Sequence, residues 1–189
     1  SLQFDAAVEW SNEHMSIAGN VFYNTVKDYI FYQKLTAKSG GDSIIVEHGD
    51  DLYAFAFRQK DAHLYGAELN VDFHPHPLDW LHVENSLSLI RGQFKEALDG
   101  STNLPGIPSA RLLSEIRIEM FKKSKAIRNS FINMQLDNVF AQNNPFVGYN
   151  TETVTSAYTI LNIGFSTQVQ LKNKTLFSVS LVGQNIADV

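Results

Sequence analysis

DLYAFAFRQKDAHLYGAELNVDFH, residues Asp51 to His74, keeps one alternation over its whole length. Tyr53, Phe55, Phe57, Tyr65, Ala67, Leu69, Val71 and Phe73 fall on odd numbers, and Arg58, Lys60, Glu68, Asn70 and Asp72 on even ones. Strand side chains point to alternate faces, so a period of two held this long reads as a single half-buried strand. At about 3.3 Å per residue it extends about 80 Å. Few soluble sheets contain such a strand, whereas a barrel protruding beyond a membrane does.

The same period recurs to either side. Leu2, Phe4, Ala6, Val8 and Trp10 oppose Gln3, Asp5 and Glu9. Leu112, Ile116, Ile118 and Met120 oppose Arg111, Glu115, Arg117 and Glu119. Ile132, Met134 and Leu136 oppose Asn133, Gln135 and Asp137; Leu161, Ile163, Phe165, Val169 and Leu171 oppose Asn162, Ser166, Gln168 and Gln170; Phe177, Val179 and Leu181 oppose Ser178 and Ser180. A helical period is not sustained anywhere; Arg91 to Leu98 admits one turn of helix, limited by Gly92 and Gly100.

Eight strands follow, at about 2–10, 14–33, 51–74, 78–93, 107–121, 127–141, 155–171 and 175–186. Their connections alternate in length. Ser11 to Glu13, Pro75 to Pro77, Lys122 to Ala126 and Lys172 to Lys174 are short; Lys34 to Asp50, Phe94 to Gly106 and Gln142 to Val154 are long and rich in Gly, Asn, Ser and Thr. Short turns at one end and long loops at the other are the build of an outer-membrane barrel. The fold expected is all-β: an antiparallel up-and-down meander, part of a large transmembrane β-barrel. In a bilayer every backbone group must pair internally, so the apolar face meets lipid and the polar face a wet lumen. Trp10, Phe31, Tyr32, Trp80, Phe94, Phe121 and Phe140 near strand ends read as interfacial aromatics.

Composition agrees. Of 189 residues 44% are hydrophobic, 19% charged and 12% aromatic, which suits strands and excludes a disordered chain. The formal net charge of -5 leaves no basic excess for nucleic acid. With no cysteine, disulfide scaffolds and thiol chemistry are excluded. No apolar run approaches the roughly 20 residues of a membrane-spanning helix. Both ends of the chain read as cuts through something larger.

Several motifs together carry a resemblance. Tyr65-Gly66-Ala67-Glu68-Leu69 leads through Pro75 to Trp80 into the Ser-rich strand Asn85-Ser86-Leu87-Ser88-Leu89. Leu104-Pro105-Gly106-Ile107-Pro108-Ser109-Ala110-Arg111 leads into the next strand, and Leu181-Val182-Gly183-Gln184-Asn185-Ile186-Ala187-Asp188 closes a later one. In order and spacing these resemble the late barrel of TonB-dependent outer-membrane receptors, over nearly the whole chain. The resemblance implies residence in the bacterial outer membrane, contact with its lipid, and active uptake of a scarce nutrient complex such as iron–siderophore, haem or cobalamin. It also implies a plug domain and a TonB energy-coupling complex as partners, reached through parts absent here. The family's plug, TonB-contacting box and final strand are missing from residues 1–189, so about eight of some 22 strands are in hand.

Chemistry-bearing residues are few. His63, His74, His76 and His82 suggest a metal site by type. His63 is too far along the strand to join the Pro75 turn, however, and His74 and His76 read as turn histidines. Glu115 and Glu119 with Arg111 and Arg117 share a strand face and read as a solvated lumen ladder rather than an acid–base pair. No Gly-x-Ser-x-Gly elbow occurs, Gly40-Gly41 lacks the Lys and helix of a phosphate loop, and the Asn173-Lys174-Thr175 sequon has no meaning in a bacterial turn. No enzyme and no cofactor are expected. Recognition belongs in loops held by a rigid scaffold, so Asn143, Asn144, Phe146 and Tyr149 are the candidate ligand contacts. Two other readings stay open: a stand-alone eight-stranded barrel that binds a ligand, and an adhesive surface domain.

Overall fold

The computed structural model describes residues 1–172 and 174–187. The strands are β1 (Leu2–Ser11), β2 (Met15–Lys34), β3 (Ile44–Glu47), β4 (Asp50–Tyr53), β5 (Phe55–Phe73), β6 (Leu81–Leu98), β7 (Ser101–Asn103), β8 (Arg111–Met120), β9 (Ile127–Val139), β10 (Tyr158–Leu171) and β11 (Lys174–Gly183). No helix lies among the described residues. The main sheet runs β1-β2-β5-β6-β8-β9-β10-β11, every pairing antiparallel, with β7 against β6; β3 and β4 form a separate hairpin. The sheet is an open meander with β1 and β11 at opposite ends of its hydrogen-bonded path, so these strands do not close a small barrel by themselves.

The single long strand expected over 51–74 is interrupted once. Ala54 leaves the ladder, its N–H donating to the Ser43 carbonyl and its own carbonyl accepting from Leu35. β4 then turns away to pair with β3 inside the loop read as irregular over 34–50. The alternation of β5 still holds from Phe55 to Phe73, because the extra residue near its middle is on the partner. Val26 pairs with Ala62 and Tyr29 with Lys60, so β2 carries a bulge containing Asp28 at φ 55°. The bulge switches the phase of β2: Ile17, Val21 and Tyr23 share a face with Ile30 and Tyr32. Instead of a helical turn, Arg91 to Leu98 continues β6.

Register joins the apolar residues of each strand into one surface. Tyr23 faces Tyr65, Ile17 faces Val71, Leu69 faces Leu87, Ile116 faces Met134 and Phe165 faces Leu181. Two polar interruptions of it are self-satisfied: Ser114 Oγ donates to Asn85 Oδ1 at 2.7 Å, and the Ser130 and Thr167 hydroxyls share a hydrogen bond at 2.6 Å. The opposite face is a polar web. Asn20 Nδ2 donates to Glu68 (3.3 Å), Ser86 Oγ to Asn70 (2.7 Å), Gln135 Nε2 to Glu115 (3.2 Å) and Asn162 Nδ2 to Gln135 (3.1 Å). Arg111 forks onto Asp137, Nε and Nη2 donating at 2.6 and 2.5 Å. The connections sort by length as expected, with 12–14, 74–80 and 121–126 at one end and 35–54, 99–110 and 140–157 at the other. Asn173, in the fourth short turn and the sequon, and Asp188, in the closing motif, lie outside the described residues.

Candidate functional site

The only buried apolar cluster among the described residues sits at the long-loop end. Phe31 of β2, Ala62 of β5, Phe94 of β6, Leu104 and the loop residues Phe146 and Tyr149 pack together. Phe146 meets Phe94 edge-on at 6.2 Å and Tyr149 at 4.7 Å; Phe31 meets Phe94 at 4.9 Å. Such edge-to-face pairs favour the ring quadrupoles beyond the area they bury. Local sequence sets up the packing. Phe94 points inward by alternation, and the Asp28 bulge brings Phe31 to the same face. Gly92 leaves the space that Leu104 and Ile107 occupy, since a Cβ there would meet both within 2.9 Å. Two of the seven aromatics read as interfacial, Phe31 and Phe94, are therefore core residues; Trp10, Tyr32, Trp80, Phe121 and Phe140 are exposed.

Polar contacts lace the two long loops over this cluster. Glu152 accepts from the Gly106 amide (2.6 Å) and the Phe146 amide (3.0 Å). Asn103 Nδ2 donates to the Pro145 carbonyl (3.1 Å), and Gln142 Nε2 to the Ile107 carbonyl (2.6 Å). The Gln142 side chain also accepts from the Asn144 amide (3.0 Å), while its main chain bridges Thr155. A carboxylate holding two loop amides fixes both in place, because charged hydrogen bonds are roughly twice as strong as neutral ones. Burial, and after it the Asp99 charge, push the Tyr149 phenol above its ordinary value; the nearby Lys34 main chain opposes this weakly. The phenol is protonated at neutral pH, and its oxygen completes no hydrogen bond among the described residues.

The four loop candidates thus divide. Phe146, 0% exposed, and Tyr149 are anchors of the loop in this conformation, whereas Asn143 and Asn144 are exposed on it. Gln142 and Asn144 border a cleft of about 860 Å³ that also touches Tyr23, Tyr65 and Arg91. Sequence reasoning passed over Glu152, Leu104 and Ala62. The signal available was a lone apolar Leu104 before Pro105-Gly106 and a lone carboxylate in the Asn- and Thr-rich stretch that follows Tyr149.

The candidate histidines fall in two places, His63 high on β5 and His74, His76 and His82 at the short-turn end, where the His74 and His82 rings lie 6.4 Å apart. His63 Nδ1 bonds the Tyr23 hydroxyl (2.9 Å), His74 is 3.5 Å from Asp72, His76 is 3.1 Å from Asp79, and His82 is 3.6 Å from Glu119. No group of three or more His, Cys, Asp or Glu among the described residues is arranged around a common metal position. On β8, Glu119 pairs with Lys122 at 2.8 Å and Arg117 lies over the Phe131 ring at 5.7 Å, so these side chains belong to the polar face and its lower rim.

A sheet with one apolar and one hydrogen-bonded polar face, and with loops sorted by length to opposite ends, defines the wall of a transmembrane β-barrel. A family model described as "TonB dependent receptor-like, beta-barrel" matches residues 1–186, and the chain belongs to that family. Among solved structures it is similar to the copper transporter OprC, with a TM-score of 0.74 and 14% identity over 99% of this chain. At that identity the likeness is one of fold. The match covers 26% of the OprC chain, so the present chain spans about a quarter of that length. No curated protein matches it.

Proposed function

We propose that this chain forms about eight strands of the wall and part of the mouth of an outer-membrane receptor that imports a scarce nutrient complex. Residues 1–189 act as one partial barrel domain, and the rest of the barrel, the plug and the TonB-contacting segment come from other parts of the receptor. The supporting observation is the two-faced meander, matched over 1–186 by the receptor barrel family. Its apolar face meets lipid and its polar face the lumen. Energy comes from the inner membrane through TonB, and no covalent chemistry falls to these residues. The cargo is an iron–siderophore, haem, cobalamin or a metal; copper joins the set because OprC is named as its transporter. Asn143 and Asn144 touch the cargo from the loop, and Phe146 and Tyr149 hold that loop and reach cargo only when it lifts.

Uptake by a strain lacking the receptor, complemented by the intact gene or by an Asn143→Ala, Asn144→Ala variant, tests this reading. Restored import of one cargo by the intact gene, with at least several-fold weaker binding in the variant, is expected. A receptor that fractionates away from the outer membrane, or uptake of every candidate cargo unchanged by its deletion, would sink the proposal.

A further inference from the structure

The apolar face ends along a line that crosses the sheet. Below it lie Val21, Ala67, Leu89, Leu136 and Leu161; above it cross-strand polar pairs take over. The Tyr23 hydroxyl bonds His63 (2.9 Å), the Tyr65 hydroxyl donates to Gln93 (3.4 Å), and Thr159 Oγ1 donates to Asn138 (2.8 Å). The Tyr23 and Tyr65 rings stack at 6.3 Å along the line, with apolar bodies below and hydroxyls above, as amphipathic rings do at head-group level. Arg91 stands on this line. It is the register partner of Tyr65, two residues past Leu89 on the same face.

Arg91 is half-buried, and no carboxylate lies within ion-pair distance of its guanidinium among the described residues. Farther along the same face, Lys95 shares Asp61 at 3.3 Å with the Asp28 amide, and Lys27 is close to the same carboxylate. Of Lys27, Arg91 and Lys95, only Lys95 is paired to a carboxylate among the described residues. Arg91 also borders the cleft of about 860 Å³, between Phe4, Val21, Tyr23, Tyr65 and Leu89 of the outward face and the loop residues Pro108, Gln142 and Asn144. A largely apolar cleft beside a guanidinium without a carboxylate partner matches a ligand with a hydrocarbon tail and an anionic head. A guanidinium forks onto phosphate better than an ammonium does, and beside low-dielectric surface an unpaired cation gains most from a counter-ion.

We infer that Arg91, seconded by Lys95 and Lys27, docks the phosphate head group of a lipid in the outward leaflet, whose acyl chain lies in the cleft. This rests on the membrane reading above. The test uses the intact receptor in non-ionic detergent, titrated with bis-phosphorylated lipid A and with the same lipid stripped of phosphate, by native mass spectrometry. The phosphorylated lipid binds the wild type, and Arg91→Ala weakens it about ten-fold, the scale of one lost charged fork. Arg91→Lys falls between, and a Lys27→Ala, Lys95→Ala variant loses less than Arg91→Ala. Heat-modifiable mobility on gels confirms that each variant is folded. Equal binding of stripped lipid, no loss in Arg91→Ala, or displacement by inorganic phosphate alone overturns the lipid site. Co-fractionation with outer membranes is scored separately. Receptor found there with unchanged lipid binding ends this inference alone, and receptor absent from membranes ends both readings.

Discussion

Phe146 is fully buried, whereas Leu69, at mid-height on β5, is 42% exposed, although both are large apolar side chains of one sheet protein. Around Phe146 the chain behaves as a small soluble core, with aromatic rings edge to face and loops tied by a carboxylate. Around Leu69 no second layer of the described residues covers the sheet, and cohesion comes from the backbone ladder from β1 to β11. The surrounding solvent explains the difference. A loop end in water must hide its apolar groups behind its own atoms, while a wall in lipid leaves them outward, where hydrocarbon is a neighbour as apolar as leucine.

The largest expected effect comes from removing the mouth's central ring. Phe146→Ala opens a cavity costing about 3–5 kcal/mol locally. Limited proteolysis should then cut within 141–157 while the wall keeps its melting temperature; a wall that melts with the loop would break the division into two regions. Leu69→Arg attacks the other side. A cation at mid-bilayer on a lipid-facing strand costs about 2–4 kcal/mol, read by urea titration of the receptor refolded in vesicles. Tolerance of that arginine would mean the face meets protein or water. Gly66→Ala is expected to cost about 1–3 kcal/mol by overpacking, since its Cβ would collide with the Leu89 carbonyl and lie 2.7 Å from the Phe22 ring. Glu152→Gln should do least, about 1–2 kcal/mol, because Gln offers one acceptor where two carboxylate oxygens each take an N–H, so either the Gly106 or the Phe146 amide loses its partner. Faster hydrogen exchange at Gly106 or Phe146 would report it, with the wall amides unchanged.

Much of this contrast was visible in the residues. The phase of β5 was legible because its bulge is on β2, so nothing interrupts its own count. The bulge at Asp28 was not legible: a residue at positive φ in mid-strand is tolerated through its partners, among them the Asp28 amide donating to Asp61 at 3.1 Å. For the same reason Phe31 read as an interfacial aromatic, although the phase switch turns it inward. The β3–β4 hairpin was hidden because four-residue strands give too short a period to stand out from a loop. Of the loop candidates, Asn143 and Asn144 are on the exposed side, and the packing of Phe146 and Tyr149 depends on Phe94 and Leu104, 42 to 55 residues earlier in the chain.

The sequence by itself determined the strand type, the alternation of faces and the sorting of loops, because each follows from chemistry repeated every two residues along one segment. Only the tertiary structure decided which aromatics face lipid and which form the mouth, how Glu152 laces two loops, and that Arg91 stands where the apolar face ends with no carboxylate in ion-pair reach among the described residues. Those outcomes depend on register and bulges between strands far apart in sequence, and a period within one strand carries no information about its neighbour's offset.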